Sequence, residues 1–253
     1  MPEEISYLDR GNEKIAYMRQ SGRSDCPGLV FLGGFRSDMT GSKAQALSDY
    51  AMHHELNYLR FDYFGHGQST GDFLKGTISY WRNEVAEVVS SLTDGPVILV
   101  GSSFGGWLAT MMAVQFPEKV AALVLIAPAV DMTERLMWSE FDAEMRKTLL
   151  EEGIVYTPSD YDEQGYPITR DLIMDGRDHL MLDEQIAYEG PVRFLHGQQD
   201  TAVPWALSLE IAEKLTSVDV DILFVKNGDH SLSNPDNLKM LCRTLEGLYT
   251  CFS

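Results

Sequence analysis

The sequence predicts an α/β fold in which a mostly parallel sheet of about eight strands is covered by helices on both faces. From residue 29 onward, short apolar runs typical of buried strands alternate with segments whose apolar residues recur at helical spacing. One acidic stretch of roughly 131–189 interrupts the alternation. A chain of 253 residues that is 44% hydrophobic can bury such a core, so we expect a single domain with an insertion.

The first residues predict a hairpin at one edge of the sheet. The runs Ile5–Leu8 and Ile15–Met18 alternate between apolar and polar residues and are joined through Gly11 and Asn12. Further strands are predicted at Leu29–Leu32, Tyr58–Asp62, Val97–Val100, Val120–Ile126, Val192–Leu195 and Ile222–Val225, and helices at Gly41–His53, Ile78–Leu92, Gly105–Gln115, Ala206–Leu215 and Asn237–Tyr249.

The segment 131–189 is acidic, carries Met and aromatic residues at helical spacing, and contains no strand-like run. Met137, Phe141, Met145 and Leu149 recur every four residues, which predicts one apolar helix face, and Gly153 would end that helix. We interpret this segment as a helical cap over a core made of residues 1–130 and 190–253.

A cap of this size normally encloses an apolar pocket suited to an acyl or aromatic group. Its apolar helix face either packs on the body of the protein or contacts a substrate. We expect Trp138 and Met137 to be the substrate contacts within it.

The stretch Gly101-Ser102-Ser103-Phe104-Gly105 has the pattern G-x-S-x-G. It follows the predicted strand Val97–Val100 directly and precedes a predicted helix. A serine at such a sharp strand-to-helix turn projects its hydroxyl clear of the sheet, and the next backbone N–H lies where an oxyanion would form. The pattern predicts Ser103 as a nucleophile and the Phe104 N–H as an oxyanion donor.

A serine nucleophile of this kind needs a histidine base and an orienting carboxylate, which follow it in the order Ser, Asp or Glu, His. Asp200 ends the loop after the predicted strand Val192–Leu195, and His230 ends the turn after the last strand. Asp131, which follows the preceding strand, is an alternative for the acid. Asp229 is adjacent to His230 and would point the wrong way.

The remaining histidines are expected to have structural or solvated roles. They are His53, His54, His66, His179 and His196.

Two further loops follow predicted strands. Leu29–Leu32 is followed by Gly33-Gly34-Phe35, where a bare backbone can approach a ligand, and we assign the second oxyanion donor to the Phe35 N–H. Tyr58–Asp62 is followed by Gly65-His66-Gly67-Gln68-Ser69, giving a D-x-x-G-x-G-x-S turn.

Together these motifs resemble the α/β-hydrolase superfamily along the whole chain. The narrower resemblance is to the group that contains the mammalian mitochondrial acyl-protein thioesterase and acyl-glucuronide esterase, and to bacterial-type relatives. It rests on longer strings, namely Phe31–Phe35 followed by Met39–Ala44, Arg60–Tyr63, Gly95-Pro96, Gly101–Trp107, Leu195–Gly197, Val203–Trp205 and Asp219–Asp221. The chain departs from that group at its start, which reads Met1-Pro2-Glu3-Glu4 rather than a basic, Ser-rich targeting segment.

The resemblance implies a serine hydrolase that cleaves carboxylic esters or thioesters through an acyl-enzyme intermediate. Acyl-protein or acyl-CoA thioester hydrolysis is one alternative for the main activity. Hydrolysis of C–C bonds or perhydrolysis on the same fold, and a non-catalytic ligand-binding relative, also remain open.

The charge and the cysteine content limit the partners, disulfides and metals that we expect for this chain. The 38 acidic and 20 basic residues give a net charge of −18, which argues against nucleic acid as a partner. Three widely spaced cysteines imply no disulfide framework, and without a metal-ligand motif we expect neither metal nor cofactor. Without a secretory leader or a membrane-length apolar run, we expect a cytoplasmic protein with no membrane span. The sequence does not indicate an oligomeric state.

Overall fold

A computed structural model describes residues 4–157 and 165–252. The strands in chain order are β1 Ser6–Arg10, β2 Glu13–Gln20, β3 Gly28–Leu32, β4 Tyr58–Phe61, β5 Val97–Ser102, β6 Val120–Ile126, β7 Ile154–Thr157, β8 Tyr166–Thr169, β9 Val192–Gly197 and β10 Val220–Val225. The α-helices are α1 Ser42–His53, α2 Ile78–Leu92, α3 Phe104–Gln115, α4 Ala143–Glu152, α5 Arg170–Gly176, α6 Ala206–Lys214 and α7 Pro235–Tyr249.

The main sheet has eight strands in the order β1-β2-β4-β3-β5-β6-β9-β10. Strand β2 is antiparallel to both of its neighbours, and all other neighbouring pairs are parallel. The predicted α/β fold with a mostly parallel sheet is confirmed. Because the parallel strands point the same way, the loops that follow β3, β5, β9 and β10 meet at one edge of the sheet.

Helices cover both faces of the sheet, so the central strands read as nearly continuous apolar runs. On β5, Val97 and Leu99 pack in a core with α2, α3 and α6. Ile98 and Val100, which point the other way, pack in a second core with α1 and α7. This alternation places β5 at the centre of the fold, and the turn after it emerges between the two helix layers.

The predicted hairpin is present, with β1 paired to β2 at one edge of the sheet. Arg10, at the end of β1, donates hydrogen bonds to Glu84 and Glu87 of α2 at 3.2 and 2.8 Å. These ion pairs attach the edge hairpin to the helix layer beside it.

Between β6 and β9 the chain leaves the sheet, and here the structure differs from two predictions. The segment contains strands β7 and β8, which form a two-stranded antiparallel sheet, whereas the sequence predicts no strand there. The predicted long helix is broken. Met137 ends a π-helical turn, Phe141 is extended, and α4 begins only after Asp142, whose carboxylate caps the helix by accepting from the Met145 N–H at 2.7 Å.

The end of α4 agrees with the prediction, since Gly153 follows it in the left-handed region with φ 85°. Some apolar residues of this segment form a small core of their own, while others, such as Leu172 and Leu182, join the core that contains α2, α3 and α6. The buried members of the small core are Phe141, Leu149, Val155, Ile168 and Ile173.

Polar contacts hold this segment to the body of the protein. Arg135 donates to Glu210 of α6 at 2.8 Å. On the other side, the Ser79 N–H on α2 donates to Asp175 at 2.7 Å, and the Ser79 hydroxyl lies 2.7 Å from Nε2 of His179. The segment is therefore attached to α2 and α6, two helices that pack on the same face of the sheet.

Candidate active site

Ser103 occupies the turn between β5 and α3. Its backbone has φ 53° and ψ −116°, a combination that is strained for a residue with a side chain. The Ser103 N–H donates to the Ile126 carbonyl at 2.8 Å, and its own carbonyl accepts from the Ala129 N–H at 3.0 Å. Both bonds tie the turn to the end of β6, so the surrounding structure holds the strained conformation that points the hydroxyl away from the sheet.

The two glycines of the G-x-S-x-G pattern let α3 approach the sheet. A Cβ on Gly101 would lie 2.4 Å from the Gly105 carbonyl oxygen, and a Cβ on Gly105 would lie 2.1 Å from the Leu32 carbonyl oxygen. Neither position has room for a side chain. The pattern is therefore required by the close contact between helix and strands as well as by the turn.

His230 lies on the turn after β10, and its Nε2 is 3.1 Å from the Ser103 hydroxyl. The turn is fixed from below, where the Gln199 N–H donates to the Gly228 carbonyl at 2.9 Å. It is also fixed from the side, because the Lys43 ammonium on α1 donates to the Ser231 carbonyl. Burial lowers the pKa of Lys43 to about 8.

Asp200 lies on the loop after β9 and accepts from Nδ1 of His230 at 2.7 Å. Its other oxygen accepts from the backbone N–H groups of Ala202 and Val203, both at 2.8 Å. Burial works against the ionised carboxylate, but hydrogen bonds from His196 and His230 outweigh it and hold the pKa of Asp200 well below its usual range. Asp200 is therefore ionised at neutral pH beside the imidazole.

Asp131, the alternative acid, has a different role. It is buried, and its two oxygens accept from the backbone N–H groups of Met181 and Leu182 at 2.8 and 3.0 Å. These bonds hold the end of the inserted segment against the start of it. Asp229 is also engaged elsewhere, since it accepts from the Leu232 N–H at 2.9 Å.

Phe35 follows β3 in a loop that approaches Ser103, since a Cβ on the neighbouring Gly34 would lie 3.7 Å from Cβ of Ser103. The Phe35 ring makes edge-to-face contacts with four other rings at centroid distances of 5.1 to 6.4 Å, namely Phe73, Trp81, Phe104 and Tyr166. Phe104 is the first residue of α3, and the N–H groups of a helix's first turn have no carbonyl partner within the helix. The two predicted oxyanion donors therefore lie in the loop after β3 and at the start of α3, and their rings are in contact.

The D-x-x-G-x-G-x-S turn supports the loop that carries Phe35. Asp62 is buried and accepts from the N–H groups of Met39 and Gln68 at 2.6 and 2.7 Å. Within the same turn, Nε2 of His66 accepts from the N–H of Arg36, the neighbour of Phe35, at 3.1 Å. The motif thus supports the loop that carries Phe35 through the backbone of the neighbouring residue.

A cavity of about 750 Å³ opens above Ser103 and His230. One wall comes from the segment between β6 and β9, including Met137, which was predicted to contact substrate. Trp138, the other predicted contact, does not line it. Its ring lies against the guanidinium groups of Arg146 and Arg177, at 5.1 and 4.9 Å. The structure therefore places Trp138 outside the lining of this cavity and Met137 within it.

One contact at the site was missed in the sequence. His196, expected to be structural, places Nε2 3.1 Å from the same Asp200 oxygen that faces His230. The spacing of four residues between the two was the available signal. Sequence spacing on a loop does not show which side chains meet, so the sequence alone does not predict this contact.

A family model described as the alpha/beta hydrolase family matches residues 29–238. The chain belongs to the alpha/beta hydrolase family. The matched span begins at the strand before Phe35 and includes Ser103, Asp200 and His230. The predicted family is confirmed.

Two alpha/beta hydrolase relatives named palmitoyl-protein thioesterase ABHD10, mitochondrial, match most of this chain. The Bos taurus protein is 38% identical over 96% of this chain and 79% of its own length. The Homo sapiens protein is 36% identical over the same shares. The structure of alpha/beta hydrolase domain-containing protein 10 from mouse is 36% identical, with a TM-score of 0.91 over 99% of this chain and 100% of that one. The family and these relatives identify this alpha/beta hydrolase as an enzyme that hydrolyses ester or thioester bonds.

The comparison corrects one prediction. The ABHD10 relatives from five mammals are all named mitochondrial, which contradicts the expected cytoplasmic location. That expectation rested on the lack of leader-like and membrane-like segments, features that do not specify a compartment. No helix of this alpha/beta hydrolase, within residues 4–157 and 165–252, is long and apolar enough to cross a membrane. Those same residues hold no group of three or more His, Cys, Asp or Glu side chains that could bind a metal ion.

Proposed function

We propose that this alpha/beta hydrolase cleaves acyl thioesters and esters with Ser103 as nucleophile, His230 as general base and Asp200 as the group that orients the histidine. The observation that carries the proposal is the unbroken series of hydrogen bonds at the floor of the cavity. Ser103 Oγ lies 3.1 Å from His230 Nε2, and His230 Nδ1 lies 2.7 Å from Asp200 Oδ2. Nucleophile and base are in hydrogen-bond reach before any substrate binds.

In the first step His230 Nε2 takes the proton from Ser103 Oγ as the oxygen attacks the carbonyl carbon of the substrate. The tetrahedral intermediate collapses, the bond to the thiolate or alkoxide breaks, and His230 returns the proton to that leaving group. In the second step water gives a proton to His230 and attacks the acyl-Ser103 carbonyl. The bond from the acyl carbon to Ser103 Oγ then breaks, His230 returns the proton to Oγ, and the carboxylic acid leaves. Asp200, ionised and fixed, holds the imidazole with Nε2 toward Ser103 throughout.

The negative charge on the carbonyl oxygen would be held by the N–H groups of Phe35 and Phe104. Phe104 begins α3, a helix of 12 residues whose N-terminal end favours negative charge. The ring contacts of Phe35 and the support of its loop by His66 keep this donor in place. Donors that are positioned before the reaction stabilise the transition state without a cost of reorganisation.

We propose that the segment of about 131–189 is a cap that forms the acyl site. The apolar side chains that it contributes to the cavity are Met132, Leu136, Met137, Phe141 and Met145. The opposite side of the cavity is polar, with Arg36, Asp38 and Lys43. An acyl chain would lie on the cap side and the leaving group on the polar side. A volume of about 750 Å³ is in the range of sites that enclose a whole small ligand.

The names of the relatives support a long acyl chain on a protein thiol as the substrate class. An exposed polar rim suits a peptide leaving group, which must stay in water while its acyl chain enters the apolar wall. A non-catalytic ligand-binding protein would not need the three residues in hydrogen-bond order. Hydrolysis of C–C bonds and perhydrolysis have no observation in their favour.

The test compares wild type with Ser103→Ala on p-nitrophenyl esters of increasing chain length and on an S-palmitoylated peptide. Ser217→Ala is the matched control, because it removes a buried hydroxyl that bonds the Gly190 carbonyl at 2.8 Å outside the cavity. We expect Ser103→Ala to lower kcat by about 10³ or more and Ser217→Ala to keep it. Equal rates in wild type and Ser103→Ala would show that Ser103 is not the nucleophile. An enzyme that cleaves p-nitrophenyl esters but not the palmitoylated peptide would support the proposed roles of Ser103, His230 and Asp200. It would contradict the proposed substrate class.

A further inference from the structure

A second histidine bonds the carboxylate that holds His230. Nε2 of His196 lies 3.1 Å from Oδ2 of Asp200, and the side chains of His196 and Asp200 are fully buried. On the far side of the ring, Nδ1 of His196 lies 2.7 Å from the hydroxyl of Ser208 on α6. The order Ser208, His196, Asp200 therefore repeats the order Ser103, His230, Asp200 around one carboxylate.

The surroundings of His196 decide which of its nitrogens carries a proton. Nε2 faces two acceptors, Asp200 Oδ2 and the Val203 carbonyl at 3.0 Å, so Nε2 must be a donor. Nδ1 then accepts from the Ser208 hydroxyl. A neutral ring with its proton on Nε2 satisfies every partner.

This second set is not another catalytic site. His196 and Ser208 are fully buried, so neither a substrate nor water reaches them. By contrast the side chain of His230 is 29% exposed, toward the cavity. Any effect of His196 on the reaction must pass through Asp200.

We infer that His196 is a positioning residue, which fixes from the protein interior the Asp200 oxygen that orients His230. The backbone N–H groups of Ala202 and Val203 hold only Oδ1 of Asp200. Oδ2 accepts from His196 on one side and His230 on the other. The bond from His196 keeps Oδ2 at the position that His230 needs, including the moment when His230 carries the proton of Ser103. Ser208 holds the ring of His196 in turn.

The inference rests on the proposed roles of Ser103, His230 and Asp200, and two substitutions of His196 test it. In His196→Leu the donor to Asp200 is lost. We expect kcat to fall about 10- to 100-fold, the range that one hydrogen bond to a charged group supplies, with KM within about threefold of wild type. In His196→Gln the side-chain amide can donate to Oδ2, and we expect kcat to stay within about threefold of wild type.

The matched control is Tyr188→Phe, which removes a buried hydrogen bond to the Val120 carbonyl at 3.1 Å, away from Asp200. It should keep the wild-type kcat. A folded His196→Leu protein with wild-type kcat would overturn the inference, as would a His196→Gln protein that is folded and as slow as His196→Leu. If Tyr188→Phe slows the enzyme as much as His196→Leu, the effect is general destabilisation and the inference is also overturned.

A measurement on the wild-type enzyme needs no variant. With nitrogen-15 in the histidine rings, NMR should show a proton on Nε2 of His196, which faces two acceptors. A proton on Nδ1 alone would mean that Asp200 receives no bond from His196, and the inference would fail. These results are separable from those on the proposed function. An active Ser103→Ala enzyme overturns the catalytic assignment, whereas an inactive one with unaffected His196→Leu activity overturns only the role of His196.

Discussion

The backbone N–H of Arg36 donates a hydrogen bond of 3.1 Å to Nε2 of His66, while Nδ1 of the same ring lies 3.0 Å from the Phe64 carbonyl. One ring nitrogen therefore accepts and the other donates, which requires a neutral imidazole. Burial lowers the pKa of His66 to about 4. Since Arg36 follows Phe35, protonation of His66 would remove the acceptor that supports the loop carrying the proposed oxyanion donor.

Protonation of His66 should be visible in the pH dependence of the free energy of unfolding. The pKa of His66 is about 4 in the folded protein and about 6.5 when unfolded, so the unfolded state binds more protons between these values. Its contribution is fully present above about pH 6.5 and is lost as the pH falls toward 4, in all about 3 kcal/mol. Urea unfolding of wild type and His66→Gln at pH 7, 6, 5 and 4 measures it. The variant cannot titrate there but can still accept from Arg36, so its stability should fall less steeply. Parallel curves for the two proteins would show that His66 does not titrate in this way.

Substitution of Asp131 should lower mainly the stability of the protein, whereas substitution of Asp200 should lower mainly its kcat. Asp200→Ala should lower kcat by about 10³ or more, because the orienting carboxylate is removed. Asp131→Ala should leave the N–H groups of Met181 and Leu182 without their acceptor and cost about 2 kcal/mol of stability. Its kcat should remain within about tenfold of wild type. Both variants are measured by esterase kinetics and by urea unfolding. A loss of kcat in Asp131→Ala as large as that in Asp200→Ala would support Asp131 as the carboxylate that orients His230.

Two glycines in helices predict opposite effects of the same substitution. A Cβ on Gly105 in α3 would meet the Leu32 carbonyl oxygen at 2.1 Å, so Gly105→Ala should destabilise the protein by about 3 kcal/mol or more. A Cβ on Gly247 in α7 would have no neighbouring atom within 4 Å, and Gly247→Ala should stabilise by about 0.5 to 1 kcal/mol through helix propensity. Thermal unfolding followed by circular dichroism measures both. A tolerated Gly105→Ala would contradict the close contact of α3 with β3.

The apolar side of the cavity, to which Met145 contributes, predicts selectivity for the length of the acyl chain. Met145 lines the cavity, and Met145→Trp should reduce kcat/KM for long acyl esters by about tenfold more than for acetyl esters, because the larger ring fills the apolar wall. Trp138→Ala is the control. Trp138 lies against Arg146 and Arg177 instead, so its loss should lower stability and keep the ratio of long-chain to short-chain rates. A changed ratio in Trp138→Ala alone would show that the acyl chain follows a different path.

Much of the sheet could be predicted because its strands are buried on both faces. Val120–Ile126 is apolar at every position, a signal that depends little on the rest of the chain. The hairpin of β7 and β8 was missed. Its strands have only four residues each, Pro167 weakens the second as a strand signal, and both lie where helical spacing dominated the interpretation.

The meeting of Ser103, Asp200 and His230 was predictable because each follows a strand, and strand order fixes where those loops meet. The structure places Ser103, Asp200 and His230 together accordingly. The direction in which Trp138 points was not predictable, because it depends on where the Asp142 carboxylate starts α4. The contact between His196 and Asp200 depends on the path of one loop, which spacing does not determine.

His230 follows β10, and β10 forms one edge of the sheet, paired on one side with β9. Edge elements open at lower free energies than central ones. On warming, reversible separation of this outermost strand should therefore carry His230 away from Ser103, which stays anchored in the centre of the sheet, before the whole protein unfolds. Activity would disappear while most of the helical signal persists, and brief cooling would restore it.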